Sequence, residues 1–522
     1  MTIRILLIKF ISLMLFFSIL SCEPKTGPAK PMLEETLEEE IPSSSLIKNL
    51  DSQDVYTRSQ ACIQLGSRQE KKAIPKLRIL LGDKEPGVRA GAAIALGDMG
   101  DKSVTNRITD LLENDKENPK EIYLDALTRM KDPKAGSKIF GFLNSDDSTL
   151  RLQTVDALVQ IGAKDQGASI LKLATANKDR EKDKTYAMAI GKLGVRLGES
   201  YLINLTKIKD DSPTLAASYL ALGRIKSKLS IEILVNALKE NYSKGKENAA
   251  TALVEIGDPK AVALSFPLLE IDESETRMYV TDVLSEIRAP FAGELALRYL
   301  NSDKKYAWGS AARIIGRQRY KSGREKIEQM LVLDSTPDRD MFAEALGWLG
   351  DKESIPVLRQ VLNSNAKTGR YGSAWSLGIL GAREALPDLQ KALNDNDAKL
   401  VTFALEAIGS IADESSLPSL QKLLQNRPKL APQILSAIGL IKTEAARLIL
   451  EEAARSSDAN VFRPAFEEIA KRKSSDSLPF LFEMLDEGET EKRKITYYAL
   501  TAVTGEHFRT KNDWLTWRTN RK

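Results

Sequence analysis

The same short signature returns fifteen times along this chain of 522 residues, at steps of 30 to 32. Its marker is a Leu or Ile: Leu65, Leu96, Leu127, Leu158, Ile190, Leu222, Leu253, Leu284, Ile315, Leu346, Leu377, Ile408, Ile438, Ile469 and Leu500. A fixed period of this length means that each copy is one supersecondary unit, unable to bury its apolar face alone and stacked on its neighbours as a solenoid. Such an array offers a long surface rather than one enclosed reaction site.

Each position in the unit has a physical task. Ala precedes the marker in ten of the fifteen copies and Gly follows it in nine, so small residues recur where two helices approach closely. Apolar residues eight, four and one positions before the marker, as in Val88, Ala92 and Ala95, form one helical stripe. A turn follows, often with Gly and then Asp: Asp101, Asp132, Asp258, Asp351 and Asp413. Pro75, Pro356, Pro387, Pro418 and Pro479 each stand ten residues after a marker, where a proline suits the first turn of a second helix. The unit therefore reads as helix, tight turn, helix, short loop. Seven residues before the marker stands a base in nine copies, among them Arg58, Arg89, Arg151, Arg277 and Arg370. Its lock to the repeat favours a structural tie to turn carbonyls or a nearby Asp over a stripe for an anionic ligand.

The string D-x-x-V-R-x-x-A-x-x-A-L-G-x-x-G-D, clearest from Asp83 to Asp101, and the P-x-L that follows it in Pro356–Leu358 and Pro418–Leu420, resemble the short bacterial HEAT-like repeat. The resemblance runs from about Leu46 to Leu500. It implies an all-α, right-handed α-solenoid of about 15 HEAT-like helix pairs, with the marker helices on the concave side. Six copies depart from it at the base position, with Asp183, Leu215, Trp308, Val401, Ala431 and Phe462, and irregular packing is expected there. The ending, Thr504–Phe508 and then Trp514 and Trp517, is similar to the closing segments of other bacterial proteins of this type. Two Trp three apart on one helical face suit a cap over the last apolar unit.

Residues 1–21 carry Arg4 and Lys9 ahead of the apolar run Phe10–Leu20, the pattern of a secretory signal. The run ends Leu20-Ser21-Cys22, which resembles a lipobox, in which cleavage leaves a lipid-bearing Cys22 at the new N-terminus. Residues 22–45, rich in Pro and Glu, read as a flexible acidic tether. The expected organisation is thus signal 1–21, tether 22–45, solenoid 46–503 and C-terminal cap 504–522.

Composition excludes several chemistries. Net charge is +4 from 76 bases and 72 acids, which gives no case for nucleic acid. The single histidine, His507, sits in the cap between Glu506 and Phe508, so iron ligation by His–Glu pairs and Ser-His-Asp catalysis lack their components. With Cys22 lipidated, Cys62 stands alone within an apolar helix and reads as a buried, inert thiol. No cofactor or metal is expected.

Two features are candidates for partner contact. Two residues before the marker, Asp125, Asp156, Asp282, Glu344, Glu406 and Glu467 form an acidic ladder, either a surface for a basic partner or a set of groups that solvate the helix and pair with neighbouring bases. From the ninth copy to the eleventh, Tyr306, Trp308, Arg313, Arg317, Trp348, Arg370, Tyr371 and Trp375 concentrate aromatic and guanidinium groups. That is the composition of an interface hot spot, or of rings filling gaps between irregular units. The expected function is a non-enzymatic, lipid-anchored, protein-binding scaffold of the bacterial cell envelope, monomeric and held at a membrane, the outer one favoured. The alternative is a surface-exposed adhesin or host-factor binder. A bilin-lyase-like enzyme, suggested by similar repeats in such lyases, is less favoured.

Overall fold

A computed structural model describes residues 41–487, 489–508 and 510–520. Cys22, the signal and most of the tether lie outside them. Every described regular element is helical, with no strand among the described residues, and the chain is an all-α solenoid of repeated helix pairs. The first described helix, Ser43–Asn49, begins inside the stretch read as tether.

Fifteen helices each carry one marker, from Val55–Ser67 to Thr490–Thr504. Every marker is at most 1% exposed. The marker also serves the backbone. Four residues beyond it the chain turns left-handed in twelve units, at glycines such as Gly100, Gly194 and Gly350 and at Gln69, Lys131, Lys226, Arg319, Ala412 and Lys473. In most of these units the next amide then reaches back to the marker's carbonyl, as Asp101 does to Leu96 and Ser227 to Leu222, both at 3.0 Å. This is the Schellman closure, which satisfies carbonyls the helix leaves open.

The turn aspartates are N-caps. Asp101, Asp132, Asp258, Asp351 and Asp413 each accept from the amide two residues on, opening a single 3-10 turn or the second helix directly. Pro75, Pro356, Pro387 and Pro418 stand in the first turns of second helices, as the spacing requires.

Close approach explains the small residues. A Cβ at Gly97 would lie 2.6 Å from the Ala126 carbonyl oxygen, and one at Gly223 2.4 Å from the Ala252 Cα. The Gly after one marker thus lies on the Ala before the next.

The described chain forms two compact units, one reaching to Ile108 and including Asp115–Met130, the other made of Thr109–Asn114 and everything from Lys131 on. In the first, helices Val55–Ser67, Pro86–Asp98 and Lys120–Met130 bury Leu65, Leu96 and Leu127. In the second, one continuous core extends from Leu215 to Trp514. It ends at helix Lys511–Asn520, where Trp514 is fully buried and donates from Nε1 to the Phe508 carbonyl at 3.1 Å. Trp517 packs edge-on against Trp514 and stacks on Phe482.

The recurring base ties the loops. Arg58, Arg89, Arg151 and Arg277 each donate from Nη1 to the carbonyl six residues back, at 2.7 to 3.0 Å. Arg58 also pairs with Asp83 and Arg89 with Asp115 in the following loop. The units that lack the base are not irregular on that account, which corrects the sequence expectation. Trp308 donates from its indole to the Ser302 carbonyl, again six back, at 3.0 Å. Lys182, one residue before Asp183, binds the Asn144 carbonyl and Asp146 instead. Leu215, Val401, Ala431 and Phe462 are simply buried. An indole, a displaced ammonium or plain apolar packing can each fill the slot, because what the loop needs is a donor or a filler and not a charge.

Candidate functional site

On a marker helix, the residues two before and two after the marker stand one turn apart on the same face. Five successive marker helices of the second unit, Ser274–Glu286, Trp308–Gln318, Arg339–Leu349, Arg370–Ile379 and Ala398–Ile411, carry a graded series there. The pairs are Asp282 and Glu286, Arg313 and Arg317, Glu344 and Trp348, Trp375 and Ile379, and Glu406 and Ser410.

The charges of the first two rungs neutralise one another. Arg313 pairs with Asp282 at 3.0 Å, and Arg317 pairs with Glu286. Both guanidiniums also lie over the Trp348 ring, 5.8 and 5.6 Å from its centroid, within cation–π range. Trp348 meets Trp375 edge to face, centroids 5.6 Å apart at 69°, the favoured geometry for two such quadrupoles. The Trp348 indole N–H is enclosed without a hydrogen-bond partner, as is Nε of Arg313.

The carboxylates on this face feel desolvation. Burial raises the Asp282 carboxyl, and the Arg313 charge opposes it. Burial, reinforced by the charge of Asp340, pushes Glu344 up to about 7 against the pull of Arg313 and Lys399. Glu406 is raised by burial alone. The acidic ladder therefore divides. Asp125 pairs with Arg129, Asp156 with Lys192 and Asp282 with Arg313. Glu344 and Glu406 make no ion pair among the described residues.

The remaining sequence candidates lie apart from this face and serve the loops. Tyr306 donates to the Glu270 carbonyl at 3.0 Å and lies under Arg277. Trp308 makes the loop bond described above. Arg370 binds the Leu362 carbonyl at 3.1 Å and Asp395 at 2.7 Å. Tyr371 donates to Asp397, which raises its phenol, and stacks on Phe403 at 5.8 Å. So of the eight aromatic and arginine candidates, Arg313, Arg317, Trp348 and Trp375 converge, while Tyr306, Trp308, Arg370 and Tyr371 hold repeats together. Cys22, the lipidation candidate, lies outside the described residues. Reading two positions before the marker misses Glu286 and Ile379; the signal that finds them is the matching position two after it. Cys62 is fully buried, and burial pushes its thiol up to about 12. His507 is exposed in the segment leading to the last helix.

Two family models match parts of the chain. Residues 43–122 and 360–431 match the model for HEAT repeats. Residues 338–364 match the PBS lyase HEAT-like repeat. The chain is a HEAT-like repeat protein. No curated protein matches the sequence. Among solved structures, importin beta is similar at 11% identity and a TM-score of 0.47, over 88% of this chain and 79% of that one. Kap121p is similar at 14% identity and a TM-score of 0.48, over 88% of this chain and 64%, less than two thirds, of that one. The complex of CpcE and CpcF of phycocyanin lyase from Nostoc sp. PCC7120 gives 17% identity and a TM-score of 0.23, over 57% of this chain and 99% of that one.

Proposed function

We propose that this protein is a non-enzymatic scaffold that binds other proteins along the face carrying the marker ladder, and that a lipid on Cys22 holds it in a bacterial cell envelope. One observation carries the binding half. Repeat-locked positions of the second unit, two before or two after a marker, present apolar and aromatic side chains to solvent, with Ile379 45%, Leu440 48% and Tyr498 62% exposed and Trp348 and Trp375 half-buried. An array stabilised by contacts between repeats has no need of apolar side chains there, and large apolar residues grouped on one face mark interaction surfaces. The anchoring half is supported by the signal-like run ending at Leu20-Ser21-Cys22.

A photo-crosslinking residue introduced at Ile379 is expected to yield discrete protein adducts in living cells. The same residue at Leu229, 74% exposed in a 3-10 turn away from this face, is expected to yield none. Equal adduct patterns from the two positions would remove the reading. For the anchor, Cys22→Ser is expected to move the protein from the detergent phase to the aqueous phase in cloud-point partition. Unchanged partition would refute lipidation at that residue.

A further inference from the structure

The ladder face carries an internal template for its own ligand. Arg317 is held by a carboxylate of the preceding helix, Glu286, and by the ring of the following one, Trp348. Arg313 repeats the arrangement with Asp282 and the same ring. Guanidinium between carboxylate and indole is thus the mode by which this surface already satisfies cations. Beyond Trp348 the acid and the ring recur and the cation does not. Glu344, Trp375 and Glu406 occupy the same rung position on three successive marker helices, and among the described residues the Trp375 ring meets Trp348 and carries no Lys or Arg as Trp348 does. Their neighbours are accounted for. Asp340 accepts from the Gly372 amide, Arg313 is committed to Asp282, and Lys399 lies over Tyr371.

Resting on the scaffold reading above, we infer that Glu344, Trp375 and Glu406 form the docking site for an extended, arginine-bearing segment of a partner protein, whose guanidiniums supply the cations this part of the ladder lacks. Charge complementarity selects the occupant. An acidic segment would meet two carboxylates already short of counter-charge, and a purely apolar one would bury them further without pairing them. The geometry also sets a spacing. Glu344 and Glu406 are two repeats apart, roughly 18 Å at 8–10 Å between packed helices, which five or six residues of extended chain bridge at about 3.3 Å each. The upward displacement of Glu344 fits the same account, since a guanidinium would restore its charged form.

The test uses the full chain and fluorescein-labelled Gly/Ser peptides of thirteen residues, with either two Arg or two Glu placed six residues apart, read by fluorescence anisotropy at low salt. The Arg peptide is expected to bind at least tenfold more tightly than the Glu peptide. Glu344→Gln with Glu406→Gln is expected to remove at least tenfold of that affinity, and Asp156→Asn, whose carboxylate already has Lys192, to leave it unchanged. Lowering the pH from 8 to 5.5 should weaken the wild-type complex and spare the double variant, because protonation of Glu344 removes the attraction despite Arg313 and Lys399, with Asp340 assisting protonation. The two glutamates are unpaired, so the double variant is not expected to unfold, and its melting curve verifies this. Equal affinity for the two peptides, or full affinity in the double variant, overturns the proposal. Adducts from position 379 without Arg-peptide binding would refute the basic class alone; absence of both would refute the scaffold as well.

Discussion

A carboxylic acid that the fold forces out of water works against that fold whenever it is ionised, and Glu344 is the clearest instance. Its folded-state value, up to about 7, lies above the ordinary 4.5. Between those values the folded chain holds a proton that the unfolded chain has released, so stability falls as pH rises through this window and is regained below it. The penalty at pH 8 is roughly 3 kcal/mol from the size of that displacement. Glu344→Gln is therefore expected to raise the melting temperature at pH 8 and to leave it unchanged at pH 4.5. An equal effect at both pH values would mean that the side chain is solvated. The neighbouring residues make the opposite point. Trp308 and Arg277 differ in charge, size and shape, yet each donates to the carbonyl six residues earlier. Chemistry at that slot is interchangeable, whereas at Glu344 it is not.

At the scale of the element, the marker helix is defined by two backbone demands of opposite kind. Its middle must come close to the next helix. Gly223→Ala would drive a Cβ to 2.4 Å from the Ala252 Cα, a backbone atom that cannot rotate aside, and is expected to lose about 1–3 kcal/mol. Its end must turn left-handed. Ala412 does so at φ 55° after helix Ala398–Ile411, a conformation a Cβ opposes. Ala412→Gly is expected to gain about 0.5–1 kcal/mol once the greater freedom of unfolded glycine is set against the relieved strain. Chemical unfolding of the two variants should show shifts of opposite sign. Both demands were visible in the sequence, as Gly one and four residues past the marker. What was not visible is that six units make the left-handed turn without glycine, where amides at or just past the turn still bond back into the helix, as Tyr320 does to Ile315 and Ala412 to Ile408.

For the molecule as a whole, stability in a repeat array is a sum of units and nearest-neighbour interfaces, and the last interface depends on its cover. Trp514 is fully buried, and Trp517 lies on Phe482. Removing residues 505–522 withdraws burial on the order of 5 kcal/mol, at about 25 cal/mol per Å² over a Trp-sized area. A chain ending at Thr504 is expected to bind a hydrophobic dye and to be cut by protease first within Ala459–Arg472 and Thr490–Thr504, the final marker helices. Resistance equal to that of the full chain would show that the segment is no cap. The sequence by itself determined the architecture: the period, the small residues flanking each marker, the turn aspartates and the second-helix prolines are local requirements that a single strand of text displays. Only the tertiary structure decided which charges are spent. Arg317 meets Glu286 and Arg129 meets Asp98 across 31 residues of chain, and nothing in the spacing separates those paired groups from Glu344 and Glu406. Pairing and desolvation depend on what the neighbouring helix brings to the same face, and that is a property of the stack.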